Sequence, residues 1–142
     1  MSEIIDRLVT TTNAHDLDGL VACFAGDYVN TTPAHPSRGF TGREQVRRNW
    51  TAIFAAVPDL TARVTARAVS GAETWTEWEM MGTRRDGARH AMAGVIVFTI
   101  REQQIAAGRF YLEPVEYAGD ANAAIQQQFG DAGDDRSIRG TS

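Results

Sequence analysis

The chain has 142 residues, 43% apolar and 23% charged, enough for one hydrophobic core and too few for two. With 14 basic against 18 acidic residues, a net charge of −4 and no Lys/Arg block, it lacks the electrostatic footprint of a nucleic-acid binder or of a protein held on an anionic membrane. The lone Cys23 excludes an intramolecular disulfide framework, and its apolar neighbours mark a buried thiol rather than a nucleophile. Residues 3 to 14 place Ile4, Ile5, Leu8, Val9 and Thr12 on one face of an amphipathic helix. Glu3, Asp6 and Arg7 interrupt any signal-like apolar run there, and no later run reaches the ~18 residues of a membrane span, so the expectation is a soluble cytoplasmic protein.

Asp16 is positioned to cap a second, shorter helix with Leu17, Leu20, Val21 and Phe24 on its apolar side and Gly26 as its left-handed end. The stretch 27-DYVNTTPAHP-36 then reads as a strand carrying Tyr28 and Asn30 on one face, followed by a loop at the mouth of a site. In 41-TGRE-44 the spacing is that of a capping box, with Thr41 and Glu44 each satisfying a free amide at the start of a third helix. Val46, Trp50, Ile53, Phe54 and Val57 keep the helical period until Pro58 and Asp59 end it.

From residue 60 the period becomes two. In 60-LTARVTARAV-69 Ala62, Val64, Ala66 and Ala68 share one face and Arg63, Thr65 and Arg67 the other. A hairpin through 70-SGAE-73 sets those arginines opposite Glu77 and Glu79, a solvated or subunit-contacting ladder. Asp86-Gly87 marks the next hairpin, leading to 90-HAMAGVIVFTI-100, and a third reversal at 102-EQQ-104 leads to 105-IAAGRFYLEPV-115. Helices first and long antiparallel strands afterwards predict a segregated α+β domain over residues 1–117. Residues 118–142 form an extension with a short helix around 120–129 and a disordered last dozen. The sequence contains no phosphate-binding glycine loop, no clustered metal ligands and no serine-nucleophile elbow, so neither cofactor nor metal is expected.

This order of elements, together with 28-YVN-30, the run into 39-GFTGRE-44 and 108-GRFYLEP-114, resembles the SnoaL-like branch of the nuclear transport factor 2-like superfamily over roughly residues 3 to 115. The resemblance implies a strongly curved sheet wrapped around the helices as a cone, open at one end, with an apolar pocket inside. The superfamily includes ketosteroid isomerases, polyketide cyclases, epoxide hydrolases and members without catalysis, so the fold alone does not fix the activity. Tyr28 and Asn30 match the Tyr-x-Asn pair of the epoxide-hydrolase branch, but Trp78 and Met80 stand where its Arg-x-Asp would be and Phe110 where its last-strand aspartate would be. That mechanism is not expected, and no inward carboxylate replaces it.

If the cone's inner face is the apolar one, the even positions of the strands point inward. Trp78, Met80, Met92, Ile96, Phe98, Phe110 and Leu112, with Trp50 and Phe54 from the third helix, then form a ligand-binding wall. Val64, Ala66, Thr76, His90 and Gly94 share that parity, and a bulge near Gly108 would instead turn Arg109, Tyr111 and Glu113 inward. The polar candidates for chemistry are Tyr28, Asn30, His35 and His90: a histidine as proton acceptor, with Tyr28 and Asn30 as oxyanion donors. Each also has a plainer reading, as mutually satisfied buried groups or surface histidines. The expected partner is a small hydrophobic molecule, taken up by an isomerase, cyclase or hydrolase of carbonyl compounds, by a non-catalytic binding module, or by a scaffold with a vestigial pocket. A homodimer through the outer sheet face is expected on analogy of fold.

Overall fold

A computed structural model describes residues 3–130; the last dozen residues, expected to be disordered, lie outside them. The elements run α1 Glu3–Asn13, α2 Leu17–Ala22, β1 Phe24–Thr31, a 3-10 turn Pro36–Arg38, β2 Phe40–Thr41, α3 Arg43–Ala56, β3 Thr61–Ser70, β4 Glu73–Thr83, β5 Arg89–Arg101, β6 Gln104–Pro114 and α4 Ala121–Phe129. One mixed six-stranded sheet has the order β2-β1-β6-β5-β4-β3, with β1 parallel to β6 and every other pair antiparallel. The sheet is open, since β2 and β3 are its two edges. The α+β architecture with helices on one side of a curved sheet is the one expected.

α1 turns Ile4, Ile5 and Leu8 into the core as its period dictates. Its last residue, Asn13, does something no period reveals. The Asn13 amide donates to the Ala62 carbonyl at 2.9 Å and accepts from the Ala62 N–H at 2.7 Å, occupying backbone groups of edge strand β3 and pinning it to α1. Asp16 caps α2 by accepting from the Gly19 N–H at 3.0 Å. α2 is shorter than expected: it ends at Ala22, Phe24 already opens β1, and Gly26 lies within that strand rather than terminating a helix. The expected capping box is also absent. Gly42, at φ 101°, is the residue before α3, no side chain caps the helix, and Thr41 is drawn into β2 by pairing with Val29.

Two extra residues reset the alternation of the sheet. In β3 the register shifts between Val64 and Ala66, leaving Thr65 unopposed. Ala66 therefore faces Glu77 on the outer side rather than pointing inward, while Arg67 comes opposite Thr76 on the helix side and pairs with Asp6 of α1 at 2.9 Å. The ladder of two arginines on two glutamates reduces to Arg63 with Glu79. In β6 the extra residue is Ala106, upstream of Gly108, so Gly108, Phe110 and Leu112 oppose Phe98, Ile96 and Gly94 on the inner face. Arg109, Tyr111 and Glu113 face outward. There Arg109 bridges to Glu73 at 2.8 Å and lies 5.7 Å over the Trp75 ring, and Val97 between them is only 1% exposed.

Gly94, at φ 149°, sits so close to the Tyr111 carbonyl that a Cβ there would clash with backbone. The narrow part of the cone is solid: Trp78, Ile96, Phe98 and Ile105 join Ile5, Leu8 and Leu20 in one cluster. α4, capped by Asp120, leaves Ile125 and Phe129 exposed. Among the described residues no helix is long and apolar enough to cross a membrane.

Candidate functional site

The wide end of the cone holds a cavity of about 570 Å³ between α3 and the inner face of the sheet, well within the size range of small-molecule sites. Val46, Trp50, Ile53 and Ala56 reach it from α3, and Met80, Met92, Phe110 and Leu112 close the opposite wall. The even-parity rule thus names the correct face. It does not give the depth, and four expected wall residues lie elsewhere. Trp78, Ile96 and Phe98 belong to the packed narrow end, where the Trp78 indole donates to Thr76 Oγ1 at 2.6 Å and that hydroxyl donates to the Ile96 carbonyl at 2.7 Å. Phe54 turns back along α3 to stack on His15 at 4.3 Å, whose Nε2 is 2.9 Å from the Leu60 carbonyl.

Tyr28 and Asn30 both line the cavity, as neighbours on one strand face must. The Tyr28 hydroxyl donates to Asn30 Oδ1 at 2.7 Å. Burial pushes the phenol's pKa well up, so it remains a hydrogen-bond donor throughout the physiological range. With its oxygen engaged, Asn30 keeps its Nδ2 hydrogens for a guest. Gly108, opposite Asn30 across the parallel β1–β6 pair, makes the arrangement possible: a Cβ at that position would lie 2.6 Å from the Tyr28 hydroxyl.

The histidines separate. His90, half-buried at the start of β5 and opposite Gly82, lines the cavity, and its ring has no hydrogen-bond partner among the described residues. His35 does not line it. The turn closed by the His35 N–H on the Thr32 carbonyl carries the ring toward β6, where Nε2 lies 3.1 Å from Glu113 Oε1.

Four further polar residues line the cavity: Thr32, Arg38, Asn49 and Arg84. Asn49 follows α3's period from Val46, and its inward position was readable; Thr32 sits in irregular chain, Arg38 ends the short 3-10 turn and Arg84 follows the end of β4, where no long period operates. No aspartate or glutamate lines the cavity, and no group of three or more His, Cys, Asp or Glu among the described residues is arranged to hold a metal ion. Cys23 is buried away from it, its thiol pKa raised by desolvation, which makes it a poor nucleophile.

Residues 5–108 match the family model of the SnoaL-like domain. The chain belongs to that family. Among solved structures, a hypothetical protein of ketosteroid isomerase-like fold from Catenulispora acidiphila, in complex with trimethylamine, superposes with a TM-score of 0.68 at 18% identity over 78% of this chain and 86% of that one. A candidate polyketide cyclase from Sinorhizobium meliloti gives 0.63 at 21% identity, over 80% and 95%. An LEH-like epoxide hydrolase from M. tuberculosis gives 0.66 at 15% identity, over 78% and 80%. At these identities the likeness is one of fold. No curated protein matches the chain.

Proposed function

We propose that the domain over residues 1–117 takes a largely apolar carbonyl compound into its cavity and moves a proton on it, in an isomerisation, cyclisation or hydration, without a metal or organic cofactor. The observation that carries this reading is the pairing, in one apolar cavity, of a histidine without a partner and an asparagine whose oxygen is already taken. His90 accepts the proton from a carbon acid or a water. The Asn30 Nδ2 hydrogens, held by the Tyr28 bond, meet the negative charge that develops on the carbonyl oxygen. Trp50, Met80, Met92 and Phe110 keep water away, which strengthens those hydrogen bonds. His35, outside the cavity, takes no part. Epoxide opening by paired carboxylates has no support, because the cavity lining lacks a carboxylate.

That same lack favours a second reading, a binding module that holds its guest unchanged. The two separate in one series. A panel of apolar carbonyl compounds is first screened by thermal shift, and the compounds that stabilise the protein are assayed for turnover. His90→Ala is expected to lower kcat by ~100-fold or more with little change in affinity. If His90→Ala and Tyr28→Phe alter affinity alone, the binding module is the better description; if no compound stabilises the protein, the cavity reading fails altogether. We also propose a homodimer formed through the outer face of the sheet.

A further inference from the structure

The polar lining of the cavity is unbalanced. Arg38, Arg84 and the amide groups of Asn30 and Asn49 all offer donors. The Asn30 oxygen already accepts from Tyr28 and the Asn49 oxygen from the Gln45 amide at 2.8 Å, while neither NH₂ group has a hydrogen-bond partner among the described residues. Thr32 Oγ1 is buried without any hydrogen-bond partner. Nothing in the lining carries negative charge. In a chain of net charge −4, this concentration of unmatched donors is not the average surface.

The two guanidinium groups stand unpaired at the cavity, whereas among the other described arginines only Arg7 also lacks a side-chain hydrogen bond, ion pair or ring contact: Arg48 bonds the Gln45 side chain and Arg89 lies over the Tyr117 ring. Arg47, Arg63, Arg67, Arg101 and Arg109 each pair with a carboxylate, and Arg43 and Arg85 bond backbone carbonyls. Arg38, on the 3-10 turn, and Arg84, just past β4, make no side-chain hydrogen bond or ion pair among the described residues, and both are exposed, which places them at the open rim. Asp86, two residues on, accepts the Ala88 N–H at 3.0 Å and forms no ion pair with Arg84, and Asp59 shares a shallow surface depression with Arg84. The Asp59 carboxylate accepts the Thr83 N–H at 2.6 Å and forms no ion pair with Arg84.

We propose that the guest carries a carboxylate as well as its apolar body, and that Arg38 and Arg84 hold that carboxylate at the rim while the body lies against Trp50, Met80, Met92 and Phe110. The inference rests on the reading above that the cavity takes an apolar guest. A planar guanidinium fork suits a carboxylate, donating to it through two parallel N–H···O bonds. The neutral end of the guest remains free to meet Asn30 and His90.

Two probes of nearly equal shape test it: 2-naphthylacetate and 2-naphthylacetamide, titrated calorimetrically into the whole chain. The acid is expected to bind about tenfold or more tightly than the amide. Raising the salt from about 20 mM to about 500 mM is expected to shrink that ratio severalfold in the native protein, since the rim is solvated. In R38Q/R84Q the ratio is expected to approach one. A ratio near one in the native protein, or a preference that survives both the salt and the double substitution, overturns the carboxylate assignment while leaving the apolar cavity intact. Binding of neither probe overturns the cavity reading and this inference with it.

Discussion

Gly108, Tyr28 and Asn30 act as one unit although the chain separates the glycine widely from the other two. A hydrogen at Gly108 leaves the space in which the Tyr28 hydroxyl reaches Asn30. In Gly108→Ala the new Cβ would stand 2.6 Å from that hydroxyl and 3.0 Å from the Phe110 ring, so the substitution is expected to cost about 1–3 kcal/mol of stability. Tyr28→Phe removes the clashing oxygen and on its own costs about 1 kcal/mol for the lost bond. The double variant is therefore expected to be more stable, by roughly 0.5 kcal/mol or more, than the sum of the two losses. Urea unfolding of the four proteins measures this, and strict additivity would show that the two residues do not press on each other. The Tyr-x-Asn pair was legible in the sequence because neighbours two apart share a strand face. Gly108's part was not, because it depends on the parallel register that sets Asn30 beside it.

The hairpins differ in how well their turns suit the chain. Gly71 and Gly87 take their positive φ without a side-chain penalty, but the β5–β6 turn places Glu102 at φ 52° and Gln103 at φ 62°. A two-residue turn with both φ positive prefers Asn-Gly. Gln103→Gly is thus expected to stabilise the protein by about 0.5–1 kcal/mol and raise Tm by a few degrees; a lower Tm would mean that the Gln103 side chain contributes more than its backbone strain removes. The faces of α1 and α3 and the three hairpins that join β3 to β6 were readable from period and turn residues, whereas β2 and its pairing with β1 were not. The bulges at Thr65 and Ala106 were not, since one inserted residue leaves regular alternation on either side of it and shows only in the partner strand's register. The missing capping box has a similar cause: Thr41 satisfies its backbone in a β pair with Val29, a competing use that the local spacing does not reveal.

At the scale of the whole molecule, parity separates the two faces of the sheet but says nothing of depth, which is why Met80 and Met92 line the cavity while Trp78 and Phe98 are fully buried in the core. The outer face poses the opposite problem, because apolar side chains remain exposed there among the described residues. Trp75 and Tyr111 are each 43% exposed, on strands flanking the half-buried Val95, Ala93 and Ala91 of β5. A sheet face with exposed aromatic and small apolar side chains between the ion pairs Arg63–Glu79 and Arg109–Glu73 is suited to a second copy, related by a twofold axis so that each face meets its equivalent. Sedimentation equilibrium at about 20 µM is expected to give the dimer mass for the native chain, an interface of standard size being sufficient at that concentration. Trp75→Lys with Tyr111→Lys is expected to give the monomer, since two cations per face would be opposed by two more across the axis and desolvated between them. Both side chains are half out of the monomer's own packing, so its far-UV circular dichroism should be retained. A native chain that sediments as a monomer removes the dimer, and a double variant that still sediments as a dimer moves the contact to another face, leaving the cavity, which opens on the other side of the sheet, unaffected by either result.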